Sequence, residues 1–231
     1  MDRSLIPLDV VYGSAAAGVR LRVLRYSYAL LALSMLPTVL GAWLGVVMGF
    51  SFFAGSPFIG LMVFMGVAFG FFFAIEKFKN SGLGVVLLLG FTFFMGLMLS
   101  RMLGHVLGLS NGASLIATAF GGTALVFGGM ATLASTMKRD VSSLGKWLFV
   151  GLAVMIVAAV ANIWLQMPAL YLALSAMGVV IFSAFILYDL KRIIDGGETN
   201  YVTATLSVYL SVYNLFSSLL HLLTALGGGD D

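Results

Sequence analysis

The stretch YVTATLSVYLSVYNLFSSLLHLL, residues 201–223, decides the fold. It is apolar enough for a membrane, yet polar side chains recur in it at spacings of 4, 4, 3, 4 and 3. At about 100° per residue these positions fall on one helical face, which we call the polar stripe. The stripe consists of Thr203, Ser207, Ser211, Asn214, Ser218 and His221. Lipid is a poor neighbour for such a face, so we expect a central helix that turns it inward.

The composition of the rest of the chain also indicates a membrane protein. The 231 residues are 61% hydrophobic and only 9% charged, with a mean hydropathy of +1.10. Seven apolar runs are each long enough to cross a hydrocarbon core of about 30 Å. They cover residues 26–49, 56–75, 82–104, 112–137, 144–165, 168–189 and 203–226. Because backbone groups in lipid must pair within their own segment, we predict an all-α integral membrane protein in which six helices surround the C-terminal one.

Basic residues mark one side of the membrane. Of the 12 lysines and arginines, all except Arg101 lie before the first run or in or beside the alternate connections after the second, fourth and sixth runs. The positive-inside rule therefore places the N-terminus in the cytoplasm. We predict a cytoplasmic tail over residues 1–25, flexible up to Ala17, a transmembrane domain over 26–226 and a short external tail over 227–231.

The polar stripe has two interpretations. Its hydroxyl and amide groups can bond neighbouring helices or carbonyls of their own helix, as packing contacts worth about 0.6 to 2 kcal/mol each. Alternatively, the stripe lines a hydrated path or holds an ion. Both interpretations require the stripe to face the interior of the bundle.

Other ionisable groups within the apolar runs are few. Arg101 and His105 share a face of the third helix near its outer end, at a depth similar to His221. They form either a conducting mouth or proton site, or an interfacial pair in which Arg101 reaches the outer headgroups.

Asp189 is the acidic residue at the inner end of the sixth run. A negative charge there opposes the helix dipole, and Arg192 follows three positions later. One interpretation is a solvated carboxylate paired with Arg192. The other is a buried carboxylate that exchanges a proton between the cytoplasm and the bundle interior.

The residue inventory excludes several classes of function. Without cysteine there are no disulfides or thiolate sites, and two histidines are too few for an ordinary zinc site. No Ser-His-Asp arrangement, two-histidine zinc helix, intramembrane aspartate pair or phosphate loop is present. We therefore expect no enzyme activity and no cofactor, with the identity of any metal left open. The net charge of +3 comes from basic residues that set the orientation of the chain in the membrane. We therefore expect the lipid bilayer, and not nucleic acid, as a partner.

Several segments resemble one family of membrane proteins. They are FSAFILYDLKRII at 182–194, GGETNYVTATLSVYLSVYNLF at 196–216, FGGTALVF at 120–127, MKRDVSSLG at 137–145 and ANIWLQMPALYLALSA at 161–176. Together they look like the Bax inhibitor-1 family, and within it the bacterial YccA-like branch. The resemblance covers essentially the whole chain after residue 20. It implies seven helices with a central last helix and a place in the bacterial inner membrane.

The resemblance implies two functions. Members of the YccA-like branch are partners and modulators of the membrane-anchored AAA protease FtsH, for which a flexible N-terminal tail would serve as a handle. Other relatives leak calcium in a pH-dependent way through a pair of aspartates that share protons as a latch. Asp189 matches the first aspartate, whereas Ser211 stands at the second position and can only donate a hydrogen bond. Lys77 and Lys79 are the nearest counterparts of an arginine that those relatives carry on helix two. We expect an FtsH partner, with a calcium, cation or proton leak gated near Asp189 as the alternative.

Overall fold

Seven α-helices make up the computed structural model, which describes the backbone of residues 8–50 and 57–227, with side chains from 18 and from 58 onward. All seven are long and apolar enough to cross a membrane, so the predicted class is confirmed. The helices are α1 Leu8–Val47, α2 Pro57–Phe78, α3 Gly82–Leu107, α4 Gly112–Thr136, α5 Ser142–Leu165, α6 Pro168–Ile194 and α7 Tyr201–Gly227.

The first helix begins earlier than its apolar run. We predicted a span from residue 26 and flexible chain up to Ala17, but α1 starts at Leu8. The reason is that Ala15–Ala17 and the arginines that follow are good helix formers, and neither proline nor a turn sequence interrupts 8–25. The arginines mark where the apolar span begins, not where the helix begins. Residues 1–7, and 228–231 of the predicted external tail, lie outside the described residues.

The inner connection between α6 and α7 is held by its own side chains. Gly196 adopts a positive φ of 81° just after α6, where a side chain would be strained. The Glu198 carboxylate accepts the backbone N–H groups of Thr199 and Asn200 at 2.9 and 3.0 Å. The Asn200 Oδ1 atom then accepts the N–H of Val202 at 2.9 Å, so Asn200 caps the start of α7. Loop and cap together fix where α7 enters the bundle.

The last helix is central, as predicted. It packs against α6, α4 and α1 and also contacts α3 and α2. From Tyr201 to Thr224, every residue is buried or half-buried. Around this axis, α1 and α3 pack closely at Gly96, where a Cβ atom would lie 2.1 Å from the Thr38 carbonyl oxygen.

Two tyrosines fix the rotation of α7. The Tyr209 hydroxyl shares a hydrogen bond of 2.9 Å with the Thr38 hydroxyl on α1, and the Tyr213 hydroxyl donates to the Met95 carbonyl on α3 at 3.1 Å. Residues two apart on a helix point about 200° away from each other. With Tyr209 held against α1 and α3, Ser211 must therefore point towards the opposite side of the helix, where a cavity lies.

Candidate functional site

A cavity of about 900 Å³ lies inside the bundle, bounded by α2, α3, α5, α6 and α7. Its wall is mostly apolar, and α7 and α6 contribute most of the polar groups. The stripe residues that line it are Ser207, Ser211, Asn214, Ser218 and His221. Thr203 is not in the lining, and its hydroxyl instead donates to the Asn200 carbonyl at 3.2 Å. From Ser207 to His221 the polar lining extends about 21 Å along α7 at 1.5 Å per residue.

Asp189 lies at the inner end of this cavity. The Ser211 hydroxyl is 2.9 Å from Asp189 Oδ2, to which it donates, and 3.1 Å from the Ser207 carbonyl. A serine has one proton to give and cannot share a proton between two like charges, so this contact differs in kind from a pair of aspartates. It does link α6 and α7 at the point where the cavity ends.

Arg192 does not pair with Asp189. Its guanidinium is 3.7 Å from a Glu198 carboxylate oxygen, and its Nε–H donates to the Gly197 carbonyl at 3.3 Å. The neighbouring Lys191 pairs with Asp195 at 2.6 Å. Among the described residues Asp189 forms no ion pair, so the solvated pair with Arg192 is not the arrangement in the structure.

Hydroxyl and amide groups of the cavity wall also bond to their own helix. The Asn214 amide nitrogen donates to the Leu210 carbonyl at 2.8 Å, and the Ser217 hydroxyl to the Tyr213 carbonyl at 3.0 Å. These bonds use the donor groups of the two side chains. The stripe therefore bonds to its own helix, as the first interpretation expects, and it also lines a cavity; a hydrated path or an ion there stays a prediction.

His221, Tyr171 and Asn162 line the outer end of the cavity. The rings of Tyr171 and His221 meet edge to face with centroids 4.9 Å apart. The Asn162 Oδ1 atom also accepts the N–H of Met167 at 3.0 Å, just beyond the end of α5. Neither Asn162 nor Tyr171 was among the predicted site residues. An amide within an apolar run was the signal that could have revealed Asn162.

The remaining predicted residues lie elsewhere. Arg101 and His105 are both exposed on α3 and do not line the cavity, so the structure does not bring them together with His221. Lys79 pairs with Glu76, and the Lys77 ammonium lies 5.5 Å from the centre of the Phe78 ring. Neither lysine lines the cavity beside Asp189.

A metal site of the usual kind is missing from the part of the chain that the structure describes. No three His, Asp or Glu side chains group there in a way that could hold an ion. The acidic side chain of the cavity lining is that of Asp189. A hard cation such as Ca²⁺ takes six to eight oxygen ligands, more than this one carboxylate supplies.

Outside the spans, Asp140 in the α4–α5 connection is held by Ser142. Asp140 accepts hydrogen bonds from the Ser142 hydroxyl at 2.6 Å and from the Ser142 backbone N–H at 2.8 Å. These two donors lower the pKa of Asp140 below its ordinary value, because they stabilise the ionised carboxylate.

Comparison with known proteins gives one family and several relatives. The family described as "Inhibitor of apoptosis-promoting Bax1" matches residues 20–228. The chain is 40% identical over 202 residues to the Escherichia coli K12 protein called "Modulator of FtsH protease YccA", covering 87% of this chain and 89% of the relative. It is 37% identical over 209 residues to an "Uncharacterized membrane protein" of Vibrio cholerae, covering 90% and 92%. An uncharacterized protein of Neisseria meningitidis is 40% identical over 210 residues, with coverage of 90% and 92%.

Proposed function

Because the chain belongs to the Bax inhibitor-1 family, we propose that it is a bacterial inner-membrane protein that modulates the membrane-anchored protease FtsH by binding it, not by catalysis. The observation that carries this proposal is the 40% identity, over 87% of this chain, to a relative named as a modulator of FtsH. A second strain's relative, called "Inner membrane protein YccA", has the same identity and supports the location.

The shape of α1 supports binding to a processive protease. At 40 residues it is about 60 Å long, roughly twice the thickness of the hydrocarbon core. Arg20, Arg22 and Arg25 are all exposed where its apolar span begins. The end of α1 therefore extends beyond the membrane on the basic side, where a protease that pulls on chain ends can reach it.

The rest of the bundle supports slow extraction. Because α7 contacts α1, α2, α3, α4 and α6, removing any one of these five helices breaks contacts with the central one. A chain that offers an accessible end but unfolds slowly would occupy the protease for a long time. Modulation then follows from competition with other substrates.

The test compares three chains in native membranes that contain FtsH. The first is the wild type, the second lacks residues 2–17 and the third, the control, lacks residues 228–231. The chain without residues 2–17 keeps Arg20 and the part of α1 that follows it. We expect crosslinking to FtsH in the wild type and the control, and weaker crosslinking with slower turnover in the chain lacking 2–17. Equal turnover of all three chains, together with no crosslink to FtsH, contradicts the proposal.

A second function, a leak of calcium or another cation, is favoured by the contact between Asp189 and Ser211 at the end of the cavity. Opening this contact would connect the polar wall of α7 to the inner side. Liposomes that contain the purified protein and a calcium dye should respond to external calcium, and Asp189→Asn should change the dependence of that response on pH. Glu76→Gln, which alters an exposed carboxylate outside the cavity, is the control. A flat trace from the wild-type protein over the whole pH range rules out the leak.

A further inference from the structure

The cavity opens sideways between α2 and α5. On its two flanks, α2 packs on α3 and contacts α7, whereas α5 packs on α6. Lining residues on both flanks also reach the outer surface: Phe69 is 59% exposed on α2, Ile156 is 51% exposed on α5, and Met65 and Ala159 are exposed beside them. All four side chains are apolar, so this opening faces hydrocarbon. The outer ends of α2 and α5 approach each other at Phe58 and Trp164, whose ring centroids are 6.5 Å apart.

The volume of the cavity limits what can enter it. A spanning helix of another protein is a cylinder roughly 10 Å wide and 30 Å long, on the order of 2,400 Å³. The cavity of about 900 Å³ is much smaller. It falls instead in the range of roughly 300–1,000 Å³ that is typical of small-molecule sites. A membrane supplies molecules of this size and apolar character as lipid acyl chains.

The charge at the inner end favours a particular headgroup. Asp189 receives one hydrogen bond, from Ser211 to Oδ2, and forms no ion pair with the described residues. Lys191 and Arg192, which follow Asp189 in the sequence, form ion pairs with Asp195 and Glu198, respectively. A carboxylate that lacks a counter-ion at the edge of the hydrocarbon is stabilised by an ammonium donor. Asp189 lies five residues before the end of α6, about 7.5 Å along the helix, within reach of the inner headgroup layer.

We propose that this cavity binds one acyl chain of an amine-headed phospholipid of the inner leaflet, with the lipid ammonium paired to Asp189. The chain enters between α2 and α5 and lies against the apolar wall, and the phosphate stays in the headgroup layer. Ser211 holds the carboxylate through its hydrogen bond to Oδ2. Binding requires neither FtsH nor ion conduction, so its test is independent of the proposed function.

Native mass spectrometry of protein released from mixed vesicles tests this proposal. The vesicles contain equal amounts of phosphatidylethanolamine and phosphatidylglycerol with identical acyl chains, and no FtsH. We expect the wild type to retain one phospholipid and to prefer phosphatidylethanolamine by about two- to fivefold, as suits one partly screened charge pair. Asp189→Asn should retain a lipid without this preference.

Two variants of α5 separate occupancy from charge. Ala159→Phe fills the cavity from its lining and should abolish retention. Ala153→Phe adds the same bulk at an exposed position outside the lining and should behave as the wild type. As a measurement that needs no variant, phosphatidylethanolamine with a photoreactive acyl chain should label peptides containing Met155 to Ile163 or Ser207 to His221.

Three results would overturn the proposal. They are equal retention of both lipids by the wild type, undiminished retention by folded Ala159→Phe, and photolabelling spread evenly over the outer faces of α4 and α5. If Ala159→Phe does not fold, the photolabelling of the wild type decides. Crosslinking of a transmembrane helix of another protein within the cavity, with no lipid retained, would replace the lipid by a protein partner and also reject the proposal.

Discussion

At the scale of single residues, the Asp189 carboxylate is held by the hydroxyl of Ser211. Ser211 donates to its carboxylate at 2.9 Å, while the two basic residues that follow Asp189 in sequence are paired with other acids. Proximity in sequence suggested Arg192 as the partner. Because α7 places Ser211 at the same depth in the bundle as Asp189, the carboxylate bonds to a residue 22 positions away in the sequence. Arg192 pairs with Glu198 instead.

Ser211→Ala tests this contact. It removes the described hydrogen-bond donor of a half-buried carboxylate, so we expect the free energy of unfolding in detergent to fall by about 1–3 kcal/mol. Ser217→Ala is the matched control, since its hydroxyl lines the same cavity but bonds only to the Tyr213 carbonyl of its own helix. Equal losses in the two variants would show that the bond to Asp189 contributes nothing.

The Asp140 contact predicts an acid-sensitive contribution to stability. Hydrogen bonds from Ser142 lower the pKa of Asp140 in the folded protein, so the stabilisation is fully present above the ordinary value of about 3.9. It is lost as the pH falls through the lower folded value. Thermal unfolding between pH 7 and pH 3 should therefore show a smaller acid-induced loss in Asp140→Asn than in the wild type. Ser143→Ala is the control, and identical pH profiles for Asp140→Asn and the wild type would contradict the assignment.

At the scale of helices, the bundle depends on where backbones approach closely. Gly96 of α3 faces Thr38 of α1 so closely that a Cβ atom would lie 2.1 Å from a carbonyl oxygen. Backbone cannot move aside as a flexible side chain can, so these two helices would have to separate. The tyrosine bonds that fix the rotation of α7 lie on the same side, because Tyr209 reaches Thr38 and Tyr213 reaches Met95.

Gly96→Ala should therefore be strongly destabilising. We expect a loss of about 1–3 kcal/mol or more from overpacking, measured by thermal unfolding. Gly104→Ala on the same helix is the control: nothing lies within 4 Å of its added Cβ, and alanine has the higher helix propensity. The control should be neutral or slightly stabilising. If both substitutions were neutral, the close contact of α1 with α3 would be wrong.

At the scale of the whole molecule, the inner connections are tied to each other. The Asn200 amide donates to the Lys79 carbonyl at 3.1 Å and to Asn80 Oδ1 at 2.8 Å, and its oxygen caps α7. One side chain thus joins the α6–α7 loop to the α2–α3 loop near the inner end of the cavity. Because α2 also forms one side of the lateral opening, the Asn200 bonds to the α2–α3 loop limit how far α2 can move from α5.

Asn200→Ala should loosen that end of the bundle. Loss of the cap and of both bonds to the α2–α3 loop should speed amide hydrogen exchange in the first turn of α7 and around Asn80. The outer half of α7 should exchange as in the wild type and serves as the internal control. Unchanged exchange at both inner segments would show that the tie does not restrain the loops.

The sequence by itself determined the class, the number of spans and the central helix. Apolar runs of membrane length and the 4-4-3-4-3 spacing of the stripe depend only on helical period and on the cost of polar groups in lipid. It misplaced the start of α1, because hydropathy reports the membrane boundary and not the helix end. The resemblance to the Bax inhibitor-1 family, which the comparisons confirmed, also came from local motifs.

Only the tertiary structure decided what the stripe faces. The cavity exists because α2 and α5 stand apart while α6 and α7 pack closely. How far apart two helices lie when they are distant in sequence depends on packing, which no local sequence pattern encodes. The same holds for Asp189, whose partner depends on the depth and rotation of α7 relative to α6. Helical period fixes which residues share a face, whereas tertiary packing fixes what that face meets.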